Sequence, residues 1–481
     1  MLRELKKAYG RLTAPMKASL FFVLCNILQR GISLITAPIF TRLLTTQQYG
    51  IYSVYNSWYS IISIFATLNL SYGVFLTGLT RFEDDRPRFV SSMQGISTTV
   101  TAVVFCIYLL FRELFNQLFG LPTILMVFLF LELFFVPAFG FWSSVQRNEY
   151  RYRALVAVTL GMSVASAVFG VIGVLLVDTY KAEARILVGI AVQICVGLYL
   201  YILQWSRGKT FYCGKYWKYA LTFNIPLLPH YLSMSILQQS DRIMIGSMIG
   251  KSEAAIYSVA YTVSTLMTLV IQAINNSFTP YTYQAIKKGN YDAIGKNANY
   301  LLALVGCGCV AIAAFGPEVI AIMAPESYHD AIWIIPPVAA SVYFMFLYPL
   351  FGNIEFYYSK TKFTMLASCV GAGLNILLNW IFIPKFGYYA AGYTTLVCYI
   401  CFAFAHAVAY FAIAKREFPG HRVYQFPAII KISLFVLALM AMLVATYRIW
   451  YIRYGMILLI LGALVICRKK LIAILQKIRS R

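Results

Sequence analysis

Long apolar runs recur along this chain, and short polar breaks separate them. Each run approaches the ~20 apolar residues that a helix needs to cross the hydrocarbon core of a bilayer. No break is long enough to hold a folded soluble domain, and the longest polar stretch is 207–218. The pattern predicts an all-α polytopic membrane protein with about 14 transmembrane helices, at 18–40, 48–73, 89–111, 121–143, 154–177, 184–205, 219–247, 253–281, 298–317, 330–353, 363–383, 388–414, 427–447 and 450–467.

The composition agrees with this pattern. Of the 481 residues, 60% are hydrophobic and 12% are charged, whereas a soluble globular chain carries about a quarter charged residues. A soluble enzyme with a membrane anchor is therefore excluded. The 10 cysteines and 4 histidines are scattered without metal-ligand spacing or a disulfide framework. We expect no metal and no cofactor, and we interpret the CxxC of Cys398 and Cys401 as packing residues.

The net charge of +23 is largely a matter of topology. If the N-terminus is inside and the spans alternate, most of the 40 Lys and Arg residues fall in inside segments. This predicts cytoplasmic N- and C-termini. Basic residues scattered over short loops suit anionic lipid headgroups and argue against nucleic-acid binding. The apolar run after the basic N-terminus is too long for a signal peptide, so we interpret it as a retained first helix.

A short repeat indicates two related halves. Ile51–Val54 and Ile256–Val259 are both Ile-Tyr-Ser-Val, and Ile27–Gln29 matches Ile236–Gln238 at a similar offset. An even number of spans per repeat returns the chain to the same side, so the halves should be parallel six-helix bundles. Two bundles that face a central cavity are typical of transporters. The predicted domains are a six-helix half (1–206), a second six-helix half (207–420) and a helix pair with a basic cytoplasmic tail (421–481).

Arg30 is the most costly residue of the first predicted span. An arginine in hydrocarbon costs at least about 2.5–3.5 kcal/mol, so it should meet a cavity or a partner. Asn26 lies one turn away on the same face. A substrate-facing cation and a structural ion pair between helices both remain open. Asp241 and Arg242 are adjacent in the seventh span and point in different directions, so each needs a separate partner, in a cavity or on a neighbouring helix.

Other polar residues also fall within predicted spans. Interhelical hydrogen bonding is their default interpretation, and two of the asparagines share a helix face at i, i+4. We expect prolines to kink the seventh and eighth spans. The polar residues are Glu132, His230, Asn275, Asn276, Asn375, Asn379 and His406, and the prolines are Pro226, Pro229 and Pro280.

Three stretches carry sequences that recur in a known family. They contain Gln29-Arg30-Gly31, Thr41-Arg42-Leu43-Leu44 and Gln48-Tyr49-Gly50-Ile51-Tyr52; Ser240-Asp241-Arg242-Ile243-Met244-Ile245-Gly246 and Ala255-Ile256-Tyr257; and Leu374-Asn375-Ile376-Leu377-Leu378-Asn379, Ile383-Pro384-Lys385-Phe386-Gly387 and Ala390-Ala391-Gly392. In order and spacing they resemble bacterial polysaccharide flippases of the Wzx type. These belong to the multidrug/oligosaccharidyl-lipid/polysaccharide exporter (MOP) superfamily.

The resemblance implies a transporter, not an enzyme. Such a flippase moves undecaprenyl-pyrophosphate-linked oligosaccharide repeat units from the cytoplasmic to the outer leaflet of the bacterial inner membrane by alternating access, for O-antigen, lipopolysaccharide or capsule biosynthesis. No GxxxxGK[ST] nucleotide motif is present, so an ion gradient or consumption of the product would drive it. Its partners would be the lipid-linked substrate, membrane lipids, and a polysaccharide polymerase with chain-length machinery.

The resemblance also assigns roles to residues. Family members have cationic cavities for pyrophosphate and acidic sugars, and Arg30 and Arg242 match those positions. Asp241 or Glu132 could carry a coupling proton. The remaining polar candidates for the cavity are Asn26, Asn375 and Asn379.

Three alternatives stay open. A multidrug or metabolite cation antiporter of the same superfamily usually has twelve helices, which the last helix pair disfavours. A peptidoglycan-precursor flippase is another relative. A polytopic O-antigen polymerase or ligase would need a large outside loop, and this sequence predicts none.

Overall fold

The computed structural model describes residues 13–358, 360–421 and 423–458. Within these ranges the chain is helical, without a β-strand. Three 3-10 helices lie at Glu83–Asp85, Ile225–Leu227 and Glu326–Ile334. The α-helices are α1 (Ala14–Leu43), α2 (Thr46–Thr67), α3 (Val74–Arg81), α4 (Arg86–Leu110), α5 (Arg112–Phe119), α6 (Thr123–Asn148), α7 (Tyr152–Leu175), α8 (Lys181–Gly208), α9 (Gly214–Asn224), α10 (Leu228–Met248), α11 (Lys251–Ser264), α12 (Met267–Lys287), α13 (Tyr291–Ala314), α14 (Gly316–Met323), α15 (Ile335–Tyr357), α16 (Thr361–Phe386), α17 (Tyr389–Glu417) and α18 (Phe426–Thr446).

Ten helices of the described ranges are long and apolar enough to cross a membrane. The pair α11 and α12 makes an eleventh candidate, as one span bent by 42°. Helices α2 and α10 coincide with the predicted second and seventh spans but are more polar. The predicted fourteenth span, 450–467, begins as helix over 450–458 and then leaves the described residues. The all-α polytopic prediction is confirmed, and the chain is a multi-pass membrane protein.

The chain forms two compact units, Met1–Ala255 and Ile256–Arg481, here called the first and the second unit. In the first unit, α8 packs against α4, α6 and α7, while α1 packs on α7 and α2 packs on α10. Two large buried apolar clusters of this unit join α2, α4, α6 and α8, and α3, α4, α6 and α9.

The beginning of α2 shows local sequence acting directly on the fold. The Thr45 hydroxyl accepts from the Gln48 backbone N–H at 3.2 Å, and the Gln48 side chain accepts from the Thr45 backbone N–H at 3.0 Å. This capping box satisfies two amides that a helix start otherwise leaves unpaired. Helix α2 then begins five residues before Ile51, and α11 begins five residues before Ile256. The two repeated tetrapeptides therefore occupy equivalent helix positions.

Two predicted spans of the first unit are shorter than the hydropathy pattern indicated. Helix α2 ends at Thr67 because Leu68 and Asn69 adopt left-handed backbone angles, which a helix cannot continue. The predicted seventh span is interrupted by the 3-10 helix Ile225–Leu227. Pro226 lies in this segment and Pro229 in the first turn of α10, where proline fits because those amides have no helical partner.

The predicted eighth span breaks between α11 and α12, and not at Pro280. Helix α12 continues through Pro280. At the break, Ser264 and Thr265 donate their hydroxyls to the backbone carbonyls of Ala260 and Tyr261, at 2.8 and 2.9 Å. Consecutive hydroxyl bonds of this kind compete with the helix's own amide bonds and bend it.

Helix α15 is the central element of the second unit. It packs against α13, α17 and α18, and most of its residues are buried. Polar contacts anchor it: the Tyr343 and Ser433 hydroxyls lie 3.0 Å apart, and the Ser264 hydroxyl donates to the Ile335 carbonyl at 3.3 Å. Pro349 lies inside α15 and removes one of its backbone hydrogen bonds.

Candidate functional site

Glu132 is a buried carboxyl group in the first unit. It lies on α6 between the buried Leu129 and Leu133, and it is 3% exposed. The Tyr55 hydroxyl of α2 donates to its Oε2 at 3.3 Å. No Lys or Arg of the described residues forms an ion pair with it. A buried carboxylate without an ion-pair partner is unfavourable in its charged form, so this group is suited to carrying a proton.

Arg242 takes part in a hydrogen-bonded chain between α10 and α2. Its Nη1 donates to the Gln239 Oε1 at 2.7 Å and to the Gln238 carbonyl at 3.1 Å. The Ser57 hydroxyl of α2 donates to the same Gln239 Oε1 at 3.1 Å. The guanidinium is half-buried. The neighbouring Asp241 is only 1% exposed, so the two adjacent charges do occupy different environments.

Arg30 and Asn26 lie exposed on α1. Within the described ranges the Arg30 side chain forms no hydrogen bond or ion pair. The buried carboxylate of Glu132 accepts from Tyr55 and forms no ion pair with Arg30. The arginine is therefore available to a ligand on this helix surface.

Arg185 is a cation of the first unit that the sequence pattern did not single out. Its guanidinium carbon lies 4.2 Å from the ring centre of Phe40 and 5.1 Å from that of Tyr52. Its Nε is buried without a hydrogen-bond partner among the described residues. A Cβ at Gly170 or Gly189 would approach Nη1 to 3.0 or 3.1 Å, so two glycines make room for it.

Arg185 and Arg242 both lie near α2. Arg185 contacts the Tyr52 ring of α2, and the Gln239 side chain that binds Arg242 also accepts from Ser57 of α2. Two permanent cations therefore lie beside this helix, one held by aromatic rings and the other by amide oxygens. Cations in this arrangement can accept a compact anion. Little in the sequence indicated this environment for Arg185. Phe40 and Tyr52, which surround its guanidinium together with Gly170 and Gly189, are far from it along the chain.

Asn375 and Asn379 join α16 to α17. The Asn379 side-chain amide donates to the Asn375 Oδ1 at 3.3 Å, and the Asn375 amide donates to the Thr395 hydroxyl at 3.3 Å. The Thr394 hydroxyl donates to the Asn379 Oδ1. All four side chains are nearly or fully buried. The asparagines thus make the interhelical hydrogen bonds that are their default interpretation.

A buried acid–base pair lies in the second unit, and sequence reasoning did not identify it. His406 of α17 places Nδ1 2.6 Å from the Glu355 Oε1 of α15. The Thr364 hydroxyl of α16 donates to the Glu355 Oε2 at 2.7 Å. His406 was recognised only as a polar residue in a span. The available signal was a second ionisable residue, Glu355, in another apolar run.

Solved structures of membrane transporters share this fold. Lipid II flippase MurJ is 14% identical and has a TM-score of 0.66, with 94% of this chain and 99% of that one covered. An inward-facing multidrug resistance MATE family transporter of the MOP superfamily is 13% identical, with a TM-score of 0.59 over 81% and 96%. The Vibrio cholerae MATE transporter VcmN is 14% identical, with a TM-score of 0.55 over 85% and 99%. The chain therefore has the fold of MOP-superfamily transporters.

Family models narrow this class. The model for polysaccharide biosynthesis proteins matches residues 16–285, and the MatE model matches residues 226–381. The first match covers more than half of the 481 residues. The chain belongs to the polysaccharide biosynthesis protein family, which confirms the family resemblance.

Two proteins of Haemophilus influenzae are similar in sequence. An Lsg locus protein is 26% identical over 247 residues, which is 47% of this chain and 58% of that protein. An uncharacterized membrane protein is 22% identical over 257 residues, or 50% of this chain and 60% of that protein. The chain thus spans less than two thirds of the length of either relative.

Proposed function

We propose that this protein is a flippase for undecaprenyl-pyrophosphate-linked oligosaccharide repeat units. It moves them from the cytoplasmic to the outer leaflet of the bacterial inner membrane by alternating access, for surface polysaccharide biosynthesis such as O-antigen, lipopolysaccharide or capsule. Membership of the polysaccharide biosynthesis family supports the substrate class. The observation that carries the proposal is the pair of guanidinium groups beside α2: Arg185 lies over the Tyr52 ring, and Arg242 donates to Gln239, which also accepts from Ser57.

The pyrophosphate is the part of the substrate that these cations suit. A planar guanidinium can donate two parallel hydrogen bonds to phosphate oxygens. Arg242 and Arg30 are the proposed cations for pyrophosphate and acidic sugars, and Arg185 adds a third. The rings of Phe40 and Tyr52 hold Arg185 without consuming its N–H donors, which leaves those donors for the anion.

The other polar residues have supporting roles in this proposal. Glu132 and Asp241 are buried carboxyl groups, and either could couple transport to a proton. Three asparagines either face the substrate cavity or hold neighbouring helices together: Asn26, Asn375 and Asn379. The same proposal includes three domains, 1–206, 207–420 and 421–481. It also includes cytoplasmic termini and association with a polymerase and chain-length machinery.

The decisive experiment is genetic and biochemical. In a strain that lacks redundant flippases, deletion of the gene should stop surface polysaccharide while lipid-linked repeat units accumulate on the inner leaflet. Re-expression of the full chain should restore the polysaccharide. Unchanged polysaccharide after deletion would refute the proposal.

A lipid II flippase is the second candidate, because the MurJ structure is similar over 94% of this chain. The MatE match over 226–381 keeps a multidrug or metabolite cation antiporter as a third. Liposomes that contain the purified protein separate the three. Movement of lipid II, or of a cationic drug, in preference to the lipid-linked repeat unit would favour the corresponding alternative.

A further inference from the structure

The pair Glu355–His406 is the most deeply buried acid–base contact among the described residues. Both side chains are fully buried, and the Nδ1–Oε1 distance is 2.6 Å. With the Thr364 hydroxyl, the pair ties together three helices, α15, α16 and α17. Such a contact has one exchangeable component, the proton between the carboxyl group and the imidazole.

The charge of this pair depends on that proton. With one shared proton the pair is either Glu⁻ with His⁺ or neutral with neutral, and its net charge is zero. Loss of the proton leaves a buried anion, and gain of another leaves a buried cation. A net buried charge is strongly unfavourable, so a change in protonation must be accompanied by water access or by movement of a helix.

His406 also has an unused nitrogen. Its Nε2 is buried and has no hydrogen-bond partner among the described residues. The ring lines a cavity of about 200 Å³ between α16 and α17, whose other lining side chains are Cys401 and apolar residues such as Phe363 and Leu366. A buried polar atom without a hydrogen-bond partner is unfavourable. Water that entered the cavity would supply a partner for Nε2 and a path by which the imidazole could exchange a proton.

Few other ionisable groups of the described chain face the pair. The Tyr348 ring of α15 lies 4.6 Å from the His406 ring, centre to centre, and Cys401 lines the same cavity from α17. From α16 the contact is the uncharged Thr364. From α13 and α18 no charged side chain reaches Glu355 or His406, and Lys360 is exposed. Among the side chains that the structure describes, no permanent cation forms an ion pair with Glu355.

We propose that Glu355 and His406 form a proton-binding site that couples a proton gradient to transport. With the shared proton in place, α15, α16 and α17 are held together; when it leaves or a second one arrives, the contact opens. Pro349, six residues before Glu355 in α15, gives that helix a weakened point at which to bend. The inference deepens the proposed flippase function and rests on it for the transported substrate.

The first test needs no substrate. Infrared difference spectra of the purified full chain, recorded after pH jumps, should contain a band from the Glu355 carboxyl group, in addition to any band from the buried Glu132 and Asp241. Glu355→Gln should abolish this band and His406→Gln should shift it, while Glu318→Gln should leave it intact. Glu318 is a matched control, because it forms an acid–base contact with Arg453 in the same unit. Identical spectra for the wild type and Glu355→Gln would overturn the proposal.

The second test uses liposomes with a fluorescent lipid-linked oligosaccharide. A gradient of one pH unit should stimulate wild-type flipping up to about tenfold, because one unit changes the proton occupancy ratio tenfold. Glu355→Gln, which is isosteric, should lose the stimulation by the gradient. Stimulation that survives in a well-folded Glu355→Gln protein would overturn the proposal. If that variant folds poorly, the infrared spectra of the wild type and His406→Gln test the proposal instead. An unshifted carboxyl band in His406→Gln would overturn it. Absence of any flipping with an intact carboxyl band would instead refute the flippase function alone.

Discussion

Arg185→Ala tests whether the ring-held guanidinium binds the substrate's anionic group. The guanidinium lies over Phe40 and Tyr52 and has no carboxylate partner among the described residues. Truncation removes two cation–π contacts and leaves no buried charge behind. Arg185→Lys keeps the charge and loses the planar, two-pronged donor.

The two effects of this change differ in size. Cation–π contacts contribute about 0.5–1 kcal/mol each when exposed and about 2 kcal/mol when desolvated. Because Arg185 is half-buried, we expect a stability loss of about 1–2 kcal/mol. Hydrogen bonds to charged groups contribute about 1.5–3 kcal/mol each. Two such bonds to a pyrophosphate give about 3–6 kcal/mol, which is about a 100- to 20,000-fold loss of affinity.

The assay measures binding and stability on the same preparations. Purified variants are titrated with a lipid-linked pyrophosphate oligosaccharide, and their thermal unfolding is recorded without it. Arg81→Ala is the control, since Arg81 also lies over two rings, 5.9 Å from Phe82 and 5.2 Å from Tyr219. We expect Arg185→Lys to retain part of the affinity. Unchanged affinity in Arg185→Ala, or an equal loss in Arg81→Ala, would refute the role of Arg185.

The remaining predictions concern three other positions. Arg30→Ala should abolish flipping at normal abundance in the membrane, because Arg30 is exposed and makes no contact that the described fold needs; normal flipping would exclude it from the site. Gly50→Ala should lower the free energy of unfolding by at least about 3 kcal/mol, because its Cβ would lie 1.7 Å from the Lys251 carbonyl oxygen. Gly161→Ala, with nothing within 4 Å, is the matched control and should be neutral in thermal unfolding. Asn379→Ala should cost about 1–2 kcal/mol in the same measurement, since interhelical hydrogen bonds in membranes contribute about 0.6 kcal/mol on average and up to about 1.7; a loss of flipping at unchanged stability would instead favour a direct role in transport.

The spans were predictable because a bilayer imposes a length on each apolar run. The predicted run 18–40 lies within α1, and 363–383 lies within α16. The breaks were less predictable. Hydropathy does not report the left-handed backbone at Leu68 or the hydroxyl bonds that bend the chain at Thr265. Both are local backbone events within apolar sequence, so a window average passes over them.

The candidate site divides in the same way. Helix geometry alone predicts that Asp241 and Arg242 face different neighbours, and their burial differs in the structure. The environment of Arg185 was beyond that reasoning. Its cage needs Phe40 from α1, Tyr52 from α2 and Gly170 from α7, and only packing brings these helices to α8.

The acid–base pair of the second unit shows why polar residues in spans should not be considered one at a time, because a functional pair is then missed. Glu355 and His406 are 51 residues apart, and neither belongs to a recognisable motif. Each alone would be a costly burial, and the cost falls only when α15 packs on α17 and the two share a proton. An ionisable residue in one apolar run should therefore be paired with those in every other run before it is assigned to packing. Applied here, that rule pairs Glu355 with His406. It leaves Glu132 with a hydrogen bond from Tyr55 and no ion pair among the described residues.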